Sequence, residues 1–151
     1  KYKGIVVLAS ERHETNVTPT ELDKLFIDFL NRIISMYGKV DYVYPDNAEQ
    51  VLIRGFRSAA ANAGLSVIIR DSKKIEIVDR IRLTSVLISQ GRFFYTQDAY
   101  TLRDALMEAV WDDSQDDDVR LDDGTSDIDT LDAFEYTIER DARRFIRYRA
   151  R

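Results

Sequence analysis

The sequence predicts a mixed α/β fold with parallel strand pairings. Short apolar runs rich in β-branched and aromatic residues recur at residues 4–9, 40–44, 65–69 and 92–95. Between them lie longer segments whose apolar residues repeat at helical spacing. Strands alternating with helices pair in parallel, because a parallel connection needs a long crossover and a helix supplies it. Length sets the scale: 151 residues, 44% hydrophobic and 32% charged, suit a single domain with a sizeable core. No internal domain boundary is visible in the sequence.

Each element has a local reason. Residues 4–9, Gly-Ile-Val-Val-Leu-Ala, are continuously apolar and read as a buried strand. Thr18-Pro19-Thr20-Glu21 is a helix start. Thr18 can cap, Pro19 suits a first position where no N–H is needed, and Glu21 can reach back to the cap. Leu22, Leu25, Phe26, Phe29, Leu30, Ile33 and Tyr37 follow at helical spacing, and Gly38 closes the helix. Residues 40–44 form the second strand. Residues 49–62 read as a helix with Leu52, Phe56 and Ala59 or Ala60 on one side, ended by Gly64. Residues 65–69 are the third strand. Residues 75–89 form a helix offering Ile75, Val78, Ile81, Leu83, Val86 and Leu87 to the core, with Gly91 beyond it. Residues 92–95 make a short strand. Residues 101–111 are helical, with Leu102, Ala105, Leu106, Ala109 and Val110 inward. Residues 112–124 lack apolar periodicity and are expected to form an acidic mobile loop. The last helix runs from Asp127 to about Arg147, with Ser126 able to cap it and Asp129 at the third position.

Composition excludes several chemistries. With no cysteine and a single histidine, His13, thiolate and histidine-rich metal sites are ruled out. Any metal site must use oxygen ligands, which favours Mg²⁺, Mn²⁺ or Ca²⁺. There is no Gly-x-Ser-x-Gly elbow, Walker-type loop or G-x-G-x-x-G turn. No apolar run approaches the ~20 residues of a membrane span, so no membrane partner is expected. The formal net charge of −5 is segregated. Ten aspartates fall between Asp112 and Asp132, and six arginines between Glu139 and Arg151. Segregation of this kind leaves nucleic acid open as a partner. The chain opens directly in a strand pattern without a start methionine, which suggests a domain cut from something longer.

Three carboxylates are candidate ligands. Asp46 follows Pro45 at the carboxyl end of the second strand, where open α/β sheets bind ligands; spacing alone favours an ordinary turn or cap role for it. Asp129 and Asp132 are three apart and share one helix face, where a divalent ion would relieve their repulsion. They also fit as first-turn acids favoured by the helix dipole. Lys73 and Lys74 could hold a phosphate or solvate a loop. Arg140, Arg143, Arg144 and Arg147 cover a broad face that could contact DNA or close a helix end.

The order of these features resembles the C-terminal nuclease domain of the large terminase subunit of tailed bacteriophages. Tyr44-Pro45-Asp46-Asn47-Ala48-Glu49 looks like that family's D-x-A-E turn, and Ala63-Gly64-Leu65 is similar to its A-G-L step. Lys73 and Lys74, the 75–89 helix and Gly91-Arg92-Phe93-Phe94-Tyr95 match its basic turn, long helix and following strand. Asp129-Thr130-Leu131-Asp132-Ala133-Phe134-Glu135-Tyr136 resembles its closing H-x-x-D-A-x-x-Y helix. The resemblance implies an RNase H-like mixed sheet flanked by helices, and two-metal cleavage of concatemeric double-stranded viral DNA during genome packaging. It implies Asp46, Asp129 and Asp132 as ligands of Mg²⁺ or Mn²⁺, with Asp129 standing where many relatives have histidine. Lys73, Lys74, Arg140, Arg143 and Arg144 would contact DNA. The implied partners are the terminase small subunit and the portal protein, and the implied setting is the host cytoplasm during phage assembly. The family's first catalytic aspartate lies on a strand before the equivalent of residues 4–9. No D-x-G pattern precedes those residues here, so the fold is expected to lack its first strands. The alternative is a non-catalytic α/β module that docks DNA or a packaging partner.

Overall fold

The computed structural model describes residues 3–13, 16–112, 120–121 and 124–146. In chain order the elements are β1 (Ile5–Val7), α1 (Pro19–Tyr37), β2 (Tyr42–Val43), α2 (Gln50–Asn62), β3 (Ile68–Ile69), α3 (Ile77–Ser89), β4 (Phe93–Tyr95), a 3₁₀ turn (Gln97–Ala99), α4 (Tyr100–Glu108), α5 (Ile128–Ile138), a second 3₁₀ turn (Glu139–Asp141) and α6 (Ala142–Ile146). They fall into two compact units. One comprises Lys1–Arg12 with Lys73–Arg151, the other His13–Ser72.

The α/β class with parallel pairings is observed. Each unit contains a two-stranded parallel sheet, β1 with β4 in the first and β2 with β3 in the second. Among the described residues these do not join into the single mixed sheet that an RNase H-like fold implies.

In the His13–Ser72 unit, α1 begins as its sequence dictates. Glu21 N–H donates to Thr18 Oγ1, and Thr18 N–H donates to Glu21 Oε2 at 2.8 Å, with Pro19 at the first helical position. Gly38 ends the helix at φ 90°, which a side chain would resist. α1 and α2 pack through Phe26 and Phe56, whose ring centroids are 4.5 Å apart. The fully buried residue of α2 is Ile53, not Leu52, so its stripe runs Ile53–Phe56–Ala60. β2 and β3 are short, pairing Tyr42 with Ile68 and Val43 with Ile69.

The other unit holds the larger core. Leu83 and Leu87 of α3, Leu102 and Ala105 of α4, Leu131, Phe134 and Ile138 of α5, and Phe145 of α6 form one buried cluster. Ile5, Val7 and Phe93 pack against it from the sheet. Val6, paired with Phe94, is 59% exposed, so β1 is buried on one face only; its unbroken apolar run misled on this point. Gly4 is required by close approach, since a Cβ there would lie 2.6 Å from the Arg92 carbonyl oxygen that accepts from Ile5 N–H. Arg92, just before β4, is buried and donates to the carbonyls of Lys3 and Phe145. It thereby ties the start of this unit to α6.

Two sequence expectations about the end of the chain are corrected. The last helix is broken rather than continuous, because Glu139–Asp141 tighten into a 3₁₀ turn between α5 and α6. Its cap is Asp127, whose Oδ1 accepts from Thr130 N–H at 3.1 Å, while Ser126 Oγ donates to the Glu108 carbonyl. Arg147, Arg149 and Arg151 lie outside the described residues, as do residues 113–119 and 122–123 of the acidic connector. Arg120 and Leu121 of that connector pair with the segment just before it, Trp111 bridging Arg120 in antiparallel fashion and Leu121 N–H donating to the Val110 carbonyl. Among the described residues, no helix is long and apolar enough to cross a membrane.

Candidate functional site

α5 carries the densest chemistry. Its core stripe is Leu131, Phe134, Glu135 and Ile138, so a glutamate occupies a core position. α3 does the same with Arg80, Leu83, Thr84 and Leu87, placing a guanidinium in its buried stripe. The two faces pack together and the charges meet. Arg80 Nη1 lies 2.9 Å from Asp132 Oδ1 and 3.6 Å from Glu135 Oε2. Arg120 joins from the connector with a two-pronged contact: Nη1 is 3.2 Å from Glu135 Oε2, and Nη2 donates to Oε1. Its Nη1 also lies 3.6 Å from Asp132 Oδ1.

Two guanidinium groups thus face two carboxylates in a region nearly closed to water. The fork of Arg120 matches both oxygens of Glu135, the geometry in which arginine binds carboxylate most strongly. Glu135 is 1% exposed. Burial pushes its carboxyl above the ordinary value of 4.5, against the opposing pull of Arg120 and Arg80. Arg80 Nε is buried without a hydrogen-bond partner among the described residues, and its guanidinium sits 5.1 Å from the centre of the Tyr136 ring.

Asp132 stands at the edge of this network. Its side chain is 27% exposed, unlike that of Glu135 one helical turn away. Both arginine contacts fall on Oδ1, while among the described residues Oδ2 has the Tyr136 hydroxyl at 3.5 Å, too far for a strong bond. Asp132 is therefore fixed in direction through one oxygen, and the other is weakly engaged. As a hard oxygen donor, that second atom suits Mg²⁺ or Mn²⁺. Asp129, three residues earlier on α5, is exposed. Asp127, just before α5, has a side chain only 11% exposed, and its Oδ1 pairs with Arg12 at 3.0 Å.

Asp46 belongs to the His13–Ser72 unit and is built into a turn. Its Oδ1 accepts from Ala48 N–H at 2.8 Å, and its carbonyl accepts from Glu49 N–H. Ser72 fastens the segment, donating from its backbone to the Pro45 carbonyl and accepting from Asn47 N–H on Oγ. The turn role open to Asp46 in the sequence is thus realised locally. Among the described residues, no group of three or more histidine, aspartate or glutamate side chains is placed to hold a metal.

The candidate DNA contacts lie on the turn at residues 73–74 and on the segment 140–144. Lys73 and Lys74 are exposed, and their backbone N–H groups, with that of Ile75, point onto the buried carboxylate of Glu139. Arg140, Arg143 and Arg144 are exposed, and Arg144 pairs with Asp141 at 2.9 Å.

Sequence reasoning passed over Arg80, Arg120, Glu135 and Glu139. A signal for two of them was present: Arg80 and Glu135 fall in phase with leucines at helical spacing, and a charge in an apolar stripe must find a partner. Arg120, the one basic residue amid ten aspartates, offered nothing about its burial. Comparison of the chain with protein-family models, with curated proteins and with solved structures finds no match in any of the three.

Proposed function

We propose that this chain carries carboxylate ligands of a divalent-metal-dependent endonuclease acting on double-stranded DNA, of the kind that cuts concatemeric viral genomes during packaging. The observation that carries the reading is Asp132. It occupies the position that the resemblance assigns to a ligand, its direction is fixed by Arg80, and one carboxylate oxygen remains weakly engaged. Asp129 adds an exposed carboxylate on the same face of α5. On this reading Asp46, at the end of β2 in the His13–Ser72 unit, is a further carboxylate ligand. A bound Mg²⁺ or Mn²⁺ supplies charge neutralisation at the phosphate and lowers the pKa of an attacking water. Asp132, Asp129 and Asp46 would be ligands for such an ion, with Arg80 and Arg120 orienting the Asp132 carboxylate as outer partners orient a ligand. Lys73, Lys74, Arg140, Arg143 and Arg144 supply phosphate contacts. The terminase small subunit, the portal protein and the host cytoplasm follow from the same proposal.

A second reading has its own observation. Arg80 and Arg120 already neutralise Asp132, and Asp46 already closes a turn. Both carboxylates would then be structural, in a non-catalytic module that docks DNA or a packaging partner. Cleavage separates the two. Asp46→Asn keeps an Oδ1 able to accept from Ala48 N–H, so it is expected to fold normally and to lose Mn²⁺-dependent nicking of supercoiled plasmid. Nicking retained at the wild-type rate in Asp46→Asn removes Asp46 from the site.

A further inference from the structure

Three consecutive backbone N–H groups converge on one buried side chain. Lys73 and Lys74 N–H donate to Glu139 Oε1, the latter at 3.0 Å, and Ile75 N–H donates to Oε2 at 3.1 Å. Lys74 has φ 49°, the one non-glycine residue with positive φ among those described. Successive N–H groups around such a residue form a concavity that binds anions. Here the anion comes from within the chain, since Glu139 is 2% exposed. Left-handed backbone is unfavourable for lysine, so the turn does not hold itself. Charge-assisted bonds to the carboxylate offset that cost. The two lysine side chains emerge exposed from the turn.

We infer that Glu139 is a positioning residue for a phosphate-contacting turn: its carboxylate fixes the backbone of residues 73–75 so that the Lys73 and Lys74 ammonium groups meet the backbone of duplex DNA in a preset arrangement. The inference rests on the DNA reading above, and it adds a residue that never touches DNA. Glu139 fills the backbone concavity, so an incoming phosphate is met by the lysine side chains. Releasing the turn leaves both charges in place but requires the turn to be ordered again on binding.

The test is binding of a labelled duplex by the full chain in EDTA, followed by fluorescence anisotropy over a salt series. Lys73→Ala/Lys74→Ala is expected to weaken binding and to reduce the slope of log K against log salt by about two, one for each phosphate contact. Glu139→Gln keeps both lysines but turns an amide NH₂ toward backbone donors. It is expected to weaken binding roughly fivefold, the effect of reordering about one residue. Amide exchange of the wild-type chain is expected to show residues 73–75 protected. If the lysine pair changes nothing, the turn does not contact DNA and the inference falls with that part of the reading. If the lysine pair weakens binding and Glu139→Gln matches wild type, the DNA reading stands and the role of Glu139 is overturned. Should Glu139→Gln fail to fold, Glu139→Asp, which keeps the charge and shortens the reach, takes its place under the same outcomes. Unprotected amides at 73–75 overturn the inference without any variant.

Discussion

Arg120→Met is expected to destabilise the chain by about 3–5 kcal/mol, the cost of stranding one member of a buried ion pair. Arg120 is 7% exposed and spans both oxygens of Glu135. Without it, Glu135 keeps among the described residues only Arg80 Nη1, at 3.6 Å. A carboxylate in that position is neither hydrated nor well paired. Urea unfolding followed by far-UV circular dichroism measures the loss. The double variant Arg120→Met/Glu135→Met removes both charges and fills similar volume, so it is expected to be more stable than Arg120→Met alone. A double variant no better than the single one shows that packing, not charge, sets the cost.

The pH dependence has a definite sign. Burial raises the folded-state pKa of Glu135 above 4.5. A raised acid pKa means that the folded chain holds the proton more tightly than the unfolded one. The stability this group contributes is therefore fully present below pH 4.5 and is lost as pH rises through the folded value. Removing Arg120 removes the strongest downward pull and lifts the folded value further. The gap between wild type and Arg120→Met is thus expected to be widest near neutral pH and to narrow towards pH 4.5. A gap independent of pH contradicts this account of Glu135.

Asp132→Asn is expected to separate catalysis from folding. Asparagine has nearly the same shape, and its Oδ1 can still accept from Arg80, so the structural cost is about 1 kcal/mol, the difference between a charged and a neutral hydrogen bond. What it loses is the anionic oxygen at Oδ2. If Asp132 is a metal ligand, cleavage falls at least ~100-fold, because a divalent ion supplies several kcal/mol of transition-state stabilisation. Plasmid nicking under Mn²⁺ gives the rate and a thermal melt gives the stability. A lower melting temperature with an unchanged nicking rate would falsify the ligand role and leave Asp132 as a structural partner of Arg80.

Local signals were legible in the sequence where a feature is closed within a few residues. The Thr18–Glu21 box, the ending at Gly38 and the core leucines of α3 and α4 follow from short-range chemistry and helical spacing. The parallel pairings followed from alternation of strand and helix. What the sequence hid depends on distant partners. The one-sided burial of β1 is set by what packs on its other face. The break after α5 falls at Glu139, whose carboxylate is engaged by backbone 64–66 residues away. Arg80, Arg120 and Glu135 make sense only together, because a single charge in an apolar stripe does not announce its partner. At Asp46 and Asp132 the sequence left structural and ligand roles open. The structure adds the local bonds of each, a turn for one and an arginine-held carboxylate with a weakly engaged oxygen for the other.

Anomalous diffraction from crystals of the chain soaked in Mn²⁺ tests the central claim most directly. The nuclease reading predicts an ion at Asp132, and one at Asp46, within the ~2.0–2.6 Å that hard-cation carboxylate bonds span. Asp132 contacting only Arg80, Arg120 and Tyr136 at saturating Mn²⁺, with no ion at either aspartate, contradicts it and favours the docking module.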